Sequence, residues 1–317
     1  MRVFFATDIH GSEVCWRKFL NAGAFHKADV LVMGGDMTGK AMVPIVGGGT
    51  DGAGGQWRLT LQDQEHVLNG EDELVAMEKR IGDRGYYPVR LSPDEMTAMQ
   101  ADPSLVDARF KSEMLAQVAR WMALADERLA GKPIRCIVSP ANDDIFEIDP
   151  IIAAAKLVDL GESNLIDLDG IALVSTGWAN PTPWNTFREL PEPELRARID
   201  GLVASVPDKR RAIFNFHAPP YGSNLDNAPK IGADMRYVSG GQALIPVGSH
   251  AIRDAILEYG PVLSLHGHIH EGRGAVKLGK TLAVNPGSTY EDGVLQAAIV
   301  DIDAKKAEVK RYLLING

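Results

Sequence analysis

Two cysteines among 317 residues, Cys15 and Cys136, are too few for a disulfide framework. Cys136 stands in the apolar run 134–138 and reads as a small core residue rather than a nucleophile. No apolar stretch approaches the roughly 20 residues that cross a bilayer. Positive charge is also in short supply. With 33 Lys and Arg against 42 Asp and Glu the net charge is −9, which argues against broad electrostatic binding to DNA, RNA or anionic lipid. A phosphate substrate stays open, because bound cations reverse a local field. A P-loop is missing too: the glycine-rich run 47–55 carries no Lys-Ser/Thr and reads as a loop. Asp8 arrives too early for the apolar segment of a signal peptide, so the first residues read as a core strand of a cytoplasmic protein.

What the chain has instead is a rhythm. Short apolar runs at 3–7, 29–33, 134–138, 171–175, 212–216 and 262–265 end in polar or glycine-rich loops. Such runs suit strands buried on both faces. Helical patterns lie between several of them, one carrying Phe110, Met114, Val118, Met122, Ala125 and Leu129, another starting at the N-cap candidate Ser249. Strand–helix–strand alternation predicts an α/β sheet. The C-terminal runs 282–284, 295–302 and 307–315 lack intervening helices, and the simplest expectation is a second, largely antiparallel sheet. Residues from about 40 to 108 break the rhythm and read as an insertion, with a hairpin at 57–68 and helical pieces at 71–81 and 92–99.

Metal-capable residues follow the strand-like runs: Asp8 and His10, then Asp36, then Asn142 with Asp143 and Asp144, then His217, then His266, His268 and His270. In α/β sheets the loops beyond the carboxyl ends of strands converge on one edge. Any one of these residues has a bland explanation as a turn or packing residue. Three imidazoles in His266-Gly267-His268-Ile269-His270 are harder to explain by packing, and the ordered set at five strand ends makes coincidence the poorer reading.

The set Asp8-Ile9-His10, Gly35-Asp36, Asn142-Asp143-Asp144, His217 and Gly267-His268-Ile269-His270, with the turn Asn285-Pro286-Gly287-Ser288, resembles the calcineurin-like metallophosphoesterase superfamily. The resemblance spans most of the chain. It implies one domain over 1–317, an α/β (α+β) four-layer αββα sandwich of two facing mixed β-sheets flanked by helices, the insertion serving as a cap or dimer element. It assigns Asp8, His10 and His270 to one metal, Asn142, His217 and His268 to a second, and Asp36 to both. Imidazole and carboxylate donors suit two divalent transition-metal ions such as Mn, Fe, Zn, Co or Ni. The implied reaction is phosphoester hydrolysis by a hydroxide shared between the cations.

One motif departs from the family pattern. Asp143 replaces the histidine that in the family assists the leaving group, and reads as a weak acid, a water-positioning residue or a turn residue. That loss leans the expectation toward a small phosphodiester. The alternatives are a phosphomonoesterase or nucleotidase of the same superfamily, and a non-catalytic scaffold. A nuclease would want a basic groove. Tyr221, Asn224 and Asp226 are candidates for lining the substrate cleft, and Arg273 for binding a phosphate oxygen, with a solvated Glu271–Arg273 pair as the alternative. His266 reads as a supporting residue. A small phosphorylated partner is expected, with no nucleic acid and no membrane, and with a homo-oligomer left open.

Overall fold

The computed structural model describes residues 1–47, 55–232 and 234–317. Most of the glycine-rich run 47–55 lies outside the described residues. Two six-stranded sheets face one another. The first has the spatial order Glu308–Asn316, Gln296–Asp303, Arg2–Ala6, Val30–Met33, Arg135–Val138, Asp159–Leu160. The second runs Gly274–Leu278, Thr281–Asn285, Leu263–Leu265, Ala212–Phe216, Ala172–Thr176, Leu165–Asp167.

Period-two alternation builds the layers. Along the first strand Val3 and Phe5 point into the space between the sheets, where they meet Leu173, Ile213, Leu263 and Val284 of the second sheet. Phe4 and Ala6 point the other way, onto Trp16 and Phe19 of the helix Glu13–Phe25 and Trp121 of the helix Pro103–Leu129. The outer face of the second sheet is covered likewise. Val174, Phe214 and Phe216 pack on Leu195 and Ile199 of the helix Glu192–Ala204 and on Ile252 and Ile256 of the helix His250–Tyr259. Each such side chain contributes about 1.5–3 kcal/mol when fully buried. The result is an αββα sandwich. Ser249 caps the helix His250–Tyr259 by accepting from the Ile252 N–H at 3.2 Å. Both cysteines are free and buried, and burial pushes the Cys136 thiol far up. Among the described residues no helix is long and apolar enough to cross a membrane.

The C-terminal strands correct one expectation. They do not make a sheet of their own but divide between the two. Thr281–Asn285, buried along its whole length, lies parallel to Leu263–Leu265 in the second sheet, with Gly274–Leu278 antiparallel at its side. Gln296–Asp303 returns to the first sheet, antiparallel to Arg2–Ala6, and turns Ala298, Val300 and Ile302 into the inter-sheet core. Each sheet had an open flank next to a buried strand, and pairing there satisfies backbone groups that solvent could not reach.

The insertion has a sheet of its own, ordered Gln64–Asn69, Gln56–Leu61, Met42–Gly47, Tyr87–Leu91. The helix Glu71–Asp83 lays Leu74, Met77 and Ile81 on Val43, Ile45, Leu59, Leu61 and Leu68, a core separate from the sandwich. The helix Pro93–Ala101 opens with a capping box between Ser92 and Glu95. It leads into Pro103–Leu129, which carries the chain back onto the first sheet.

Candidate metal centre

Register sets where the site forms. In the first sheet Ala6, Met33 and Val138 lie level across three parallel strands, so the residues after them leave from one edge. In the second, Thr176 pairs Phe216 and Asn215 pairs Leu265, again in parallel strands. Asp8, His10, Asp36 and Asn142 therefore arrive from one sheet, and His217, His268 and His270 from the other.

They meet in two triads. Asp8, His10 and His270 bring one donor atom each within 4.8 Å of one another, and Asp36, His217 and His268 do the same. His10 Nε2 stands 3.1 Å from His270 Nε2, and His270 Nε2 stands 3.4 Å from Asp8 Oδ1. Asp36 lies between the triads, its Oδ2 being 3.3 Å from His217 Nε2 and 3.8 Å from His10 Nε2. Asn142 joins Asp36, His268 and His270 on the wall of one cavity. The His217 Nδ1–H donates to the Gly34 carbonyl at 3.1 Å, which leaves Nε2 as a lone pair. That atom and Asn142 Oδ1 are buried without a hydrogen-bond partner among the described residues. The Asn142 amide nitrogen donates to Thr186 Oγ1 at 3.0 Å, so the oxygen is the end left over.

Converging lone pairs repel unless a cation or a proton sits among them. The titration directions record the conflict. Burial works to keep His217 neutral, but Asp36 and Asp8 outweigh it and raise its pKa to about 9. Burial, with Lys40, lowers His10 to about 3, and burial with His217 lowers His268 to about 4. Burial alone would raise Asp8, yet His217 and His270 hold it well below the usual carboxylate range. Two divalent cations would satisfy every one of these donors, so the residue set fits a binuclear centre.

The backbone is strained at the same place. Asp8 (φ 54°), His10 (38°), Asp36 (50°) and His268 (66°) all occupy the left-handed region, at a cost of order 1–3 kcal/mol each. Close approach forces glycine at 267: a Cβ there would stand 2.2 Å from Asp8 Oδ2. It also lets the His268 N–H reach Asp8 Oδ1 at 3.0 Å. Around the donors runs a set of anchors. Asp144 accepts from the N–H groups of Met37, Thr38 and Ala141, tying the Asp36 loop to the Asn142 loop. Asn285 donates to the carbonyls of Gly267 and Ile269, and Ser288 donates to the Asp8 carbonyl at 2.6 Å, which gives the Asn285–Ser288 turn its work. His266 is buried between Ser264 Oγ and the Phe216 carbonyl and supports the loop.

A cavity of about 1000 Å³ opens over the donors, lined by Asp36, Asn142, Asp143, His268 and His270 together with Lys40 and Glu271. Lys40 was not singled out in the sequence. Its Nζ stands 2.9 Å from Asp143 Oδ2. Burial and Asp36 raise Asp143 to about 6, while Lys40 pulls it back. Tyr221 and Arg273 are not brought to this cavity. Arg273 donates to the carbonyls of Pro286 and Ile315, and Tyr221 stacks on His250 with ring centroids 3.9 Å apart. Asp226 anchors its own loop by accepting from Gly222, Ser223 and Gly248, and Asn224 sits in a turn at φ 67°.

No protein-family model matches the chain. The uncharacterized protein MJ1162 of Methanocaldococcus jannaschii is 31% identical over 150 residues, which are 46% of this chain and 61% of that protein. The chain thus spans less than two thirds of the length of the curated relative it matches. The crystal structure of TT1561 of Thermus thermophilus superposes with a TM-score of 0.53 at 14% identity, covering 100% of this chain and 97% of that one. A second crystal structure gives 0.57 at 15% identity over 99% and 98%. At such identities the likeness is one of fold. That likeness of fold extends over the whole stretch of chain along which the donors of the two candidate metal-binding triads are distributed.

Proposed function

We propose that the chain is a metal-dependent phosphoester hydrolase that prefers a small phosphodiester to a monoester. The observation that carries this reading is the pair of triads joined through Asp36, with buried acceptors that lack a donor among the described residues. Asp8, His10 and His270 would hold one divalent cation, Asn142, His217 and His268 the other, and Asp36 would serve both. When bound, such a pair supplies Lewis acidity and lowers the pKa of water between the ions.

The chain's own residues do the rest. Lys40 presents an ammonium group at the cavity wall beside the donors, where it neutralises charge on a phosphoryl oxygen. Asp143 holds Lys40 in place and stands where the family's motif histidine would. Glu271 and Asp107 line the same cavity, where Glu147 is paired with Lys111, and their negative charge favours a singly charged diester over a doubly charged monoester. A cytoplasmic setting belongs to this reading, with both cysteines free and buried.

The test is hydrolysis of bis(p-nitrophenyl) phosphate against p-nitrophenyl phosphate with Mn added, run beside elemental analysis. Asp36→Asn should lose metal and turnover together; an Asp36→Asn protein with full activity sinks the assignment. Wild-type protein that retains no metal and cleaves neither ester would instead favour a non-catalytic scaffold.

A further inference from the structure

A second cavity of about 410 Å³ lies within the insertion, between its strands Met42–Gly47 and Tyr87–Leu91 and the helices Pro93–Ala101 and Pro103–Leu129. Its wall includes Met42, Val89, Leu91, Met96, Met99 and Phe110, and the one uncharged polar side chain on it is Gln100. Lys40 and Phe110 border this groove and also the cavity over the metal-binding triads. A phosphoester seated beside Lys40 has this apolar groove on the other flank of Lys40 and Phe110. Val89 and Leu91 form the groove's buried floor, whereas the helix Pro93–Ala101, which carries Met96 and Met99, buries no residue completely and leaves that side open.

We propose that this groove is a subsite for an alkyl chain, and that the substrate is an amphiphilic phosphodiester whose chain lies along the insertion. The proposal rests on the phosphoesterase reading and names the substrate class of that site. Three methionines on the wall supply flexible, polarizable surface that moulds to a flexible chain. A nucleobase would need donors and acceptors along its edge, and beyond Lys40 at its mouth the groove's described side chains offer Gln100. With a net charge of −9 the molecule is poorly suited to an anionic membrane surface, so the chain is taken from a dispersed amphiphile. In the reaction a water oxygen joins phosphorus, one P–O ester bond breaks, and the departing oxygen keeps the bonding pair and ends with a proton from that water.

Three diesters with one leaving group separate the possibilities: the p-nitrophenyl esters of methyl phosphate, decyl phosphate and thymidine 5′-phosphate. With Mn present, kcat/KM for the decyl ester should exceed that for the methyl ester by about 10-fold or more. The thymidine ester should show no such gain. Met99→Glu should erase the decyl advantage and leave the methyl rate unchanged. On metal-free protein, 11-(dansylamino)undecanoate should gain fluorescence on binding, and decyl phosphate but not inorganic phosphate should displace it. Equal decyl and methyl rates, a thymidine preference, or a Met99→Glu loss shared by all three esters would overturn the alkyl subsite. Absence of all hydrolysis with the probe still bound and displaced by decyl phosphate would spare the groove and overturn the phosphoesterase reading.

Discussion

At the residue scale the centre is a compromise between chemistry and packing. Lys40 shows the chemical side. It is a cation on the cavity wall beside the triads, and its ion-pair partner is Asp143 rather than a member of either triad. Lys40→Met keeps the aliphatic stem and removes the charge, so kcat for the diester should fall by about 10–100-fold, short of the loss of a full oxyanion donor. Metal content by elemental analysis should not change; a parallel loss of metal would make Lys40 a structural residue. Gly267 shows the packing side. A Cβ there would press on Asp8 Oδ2 at 2.2 Å and on Thr7 Oγ1 at 2.4 Å, both in buried side chains. Gly267→Ala should cost about 1–3 kcal/mol, as other overpacked sites do. Chemical denaturation would read this directly, and a midpoint equal to the wild type would mean that the Asp8 loop yields freely.

At the scale of elements, the strands buried on both faces were legible because continuous apolar runs bounded by turn residues permit few other readings. The donors were legible because each follows such a run within a few residues. What stayed hidden depended on pairing. Which sheet receives Gln296–Asp303 is decided by its partner Arg2–Ala6 at the far end of the chain, and no local pattern records that. Met42–Gly47 and Tyr87–Leu91 escaped notice as strands because each contains a proline, Pro44 and Pro88, a residue that usually argues against a strand interior. Lys40 was invisible for a similar reason: its partner Asp143 lies on another loop, beyond the whole insertion.

The pairing of the chain's two ends also makes a testable claim. Arg2 Nε and Arg311 Nε both reach the Asp301 carboxylate, at 2.7 Å and 2.5 Å, and together they hold its pKa at about 2. A depressed carboxylate pKa stabilises the fold above the unfolded value near 3.9 and loses that contribution as pH falls through about 2. Asp301→Asn should therefore lower the melting temperature at pH 7, with a difference that shrinks as the pH approaches 2. A difference independent of pH would mean that packing, not charge, ties these strands.

At the scale of the molecule the site is also a seam. Asp8, His10, Asp36 and Asn142 extend from the first sheet, His217, His268 and His270 from the second, and each triad draws on both. Cations held there would cross-link the two halves of the sandwich, and the unfolded chain has no such site to offer. An ion that binds the native state alone stabilises it by RT ln(1 + [L]/Kd), about 2.7 kcal/mol when the free ion stands at 100 times its Kd. The left-handed backbone at Asp8, His10, Asp36 and His268 adds a reason for dependence, since that strain opposes the loops when nothing holds their side chains together. Chelation should lower the melting temperature by several degrees, and added Mn should restore it. Hydrogen exchange should quicken at the carboxyl ends of strands in both sheets while the insertion's separate core of Val43, Ile45, Leu59 and Leu74 keeps its protection. Asp36→Asn should abolish the response to chelator, because Asp36 stands within 4 Å of a histidine of each triad. If fully chelated protein, checked by elemental analysis, melts with the metal-loaded form, the sheets are held by their inter-sheet core alone and the centre contributes chemistry without structure.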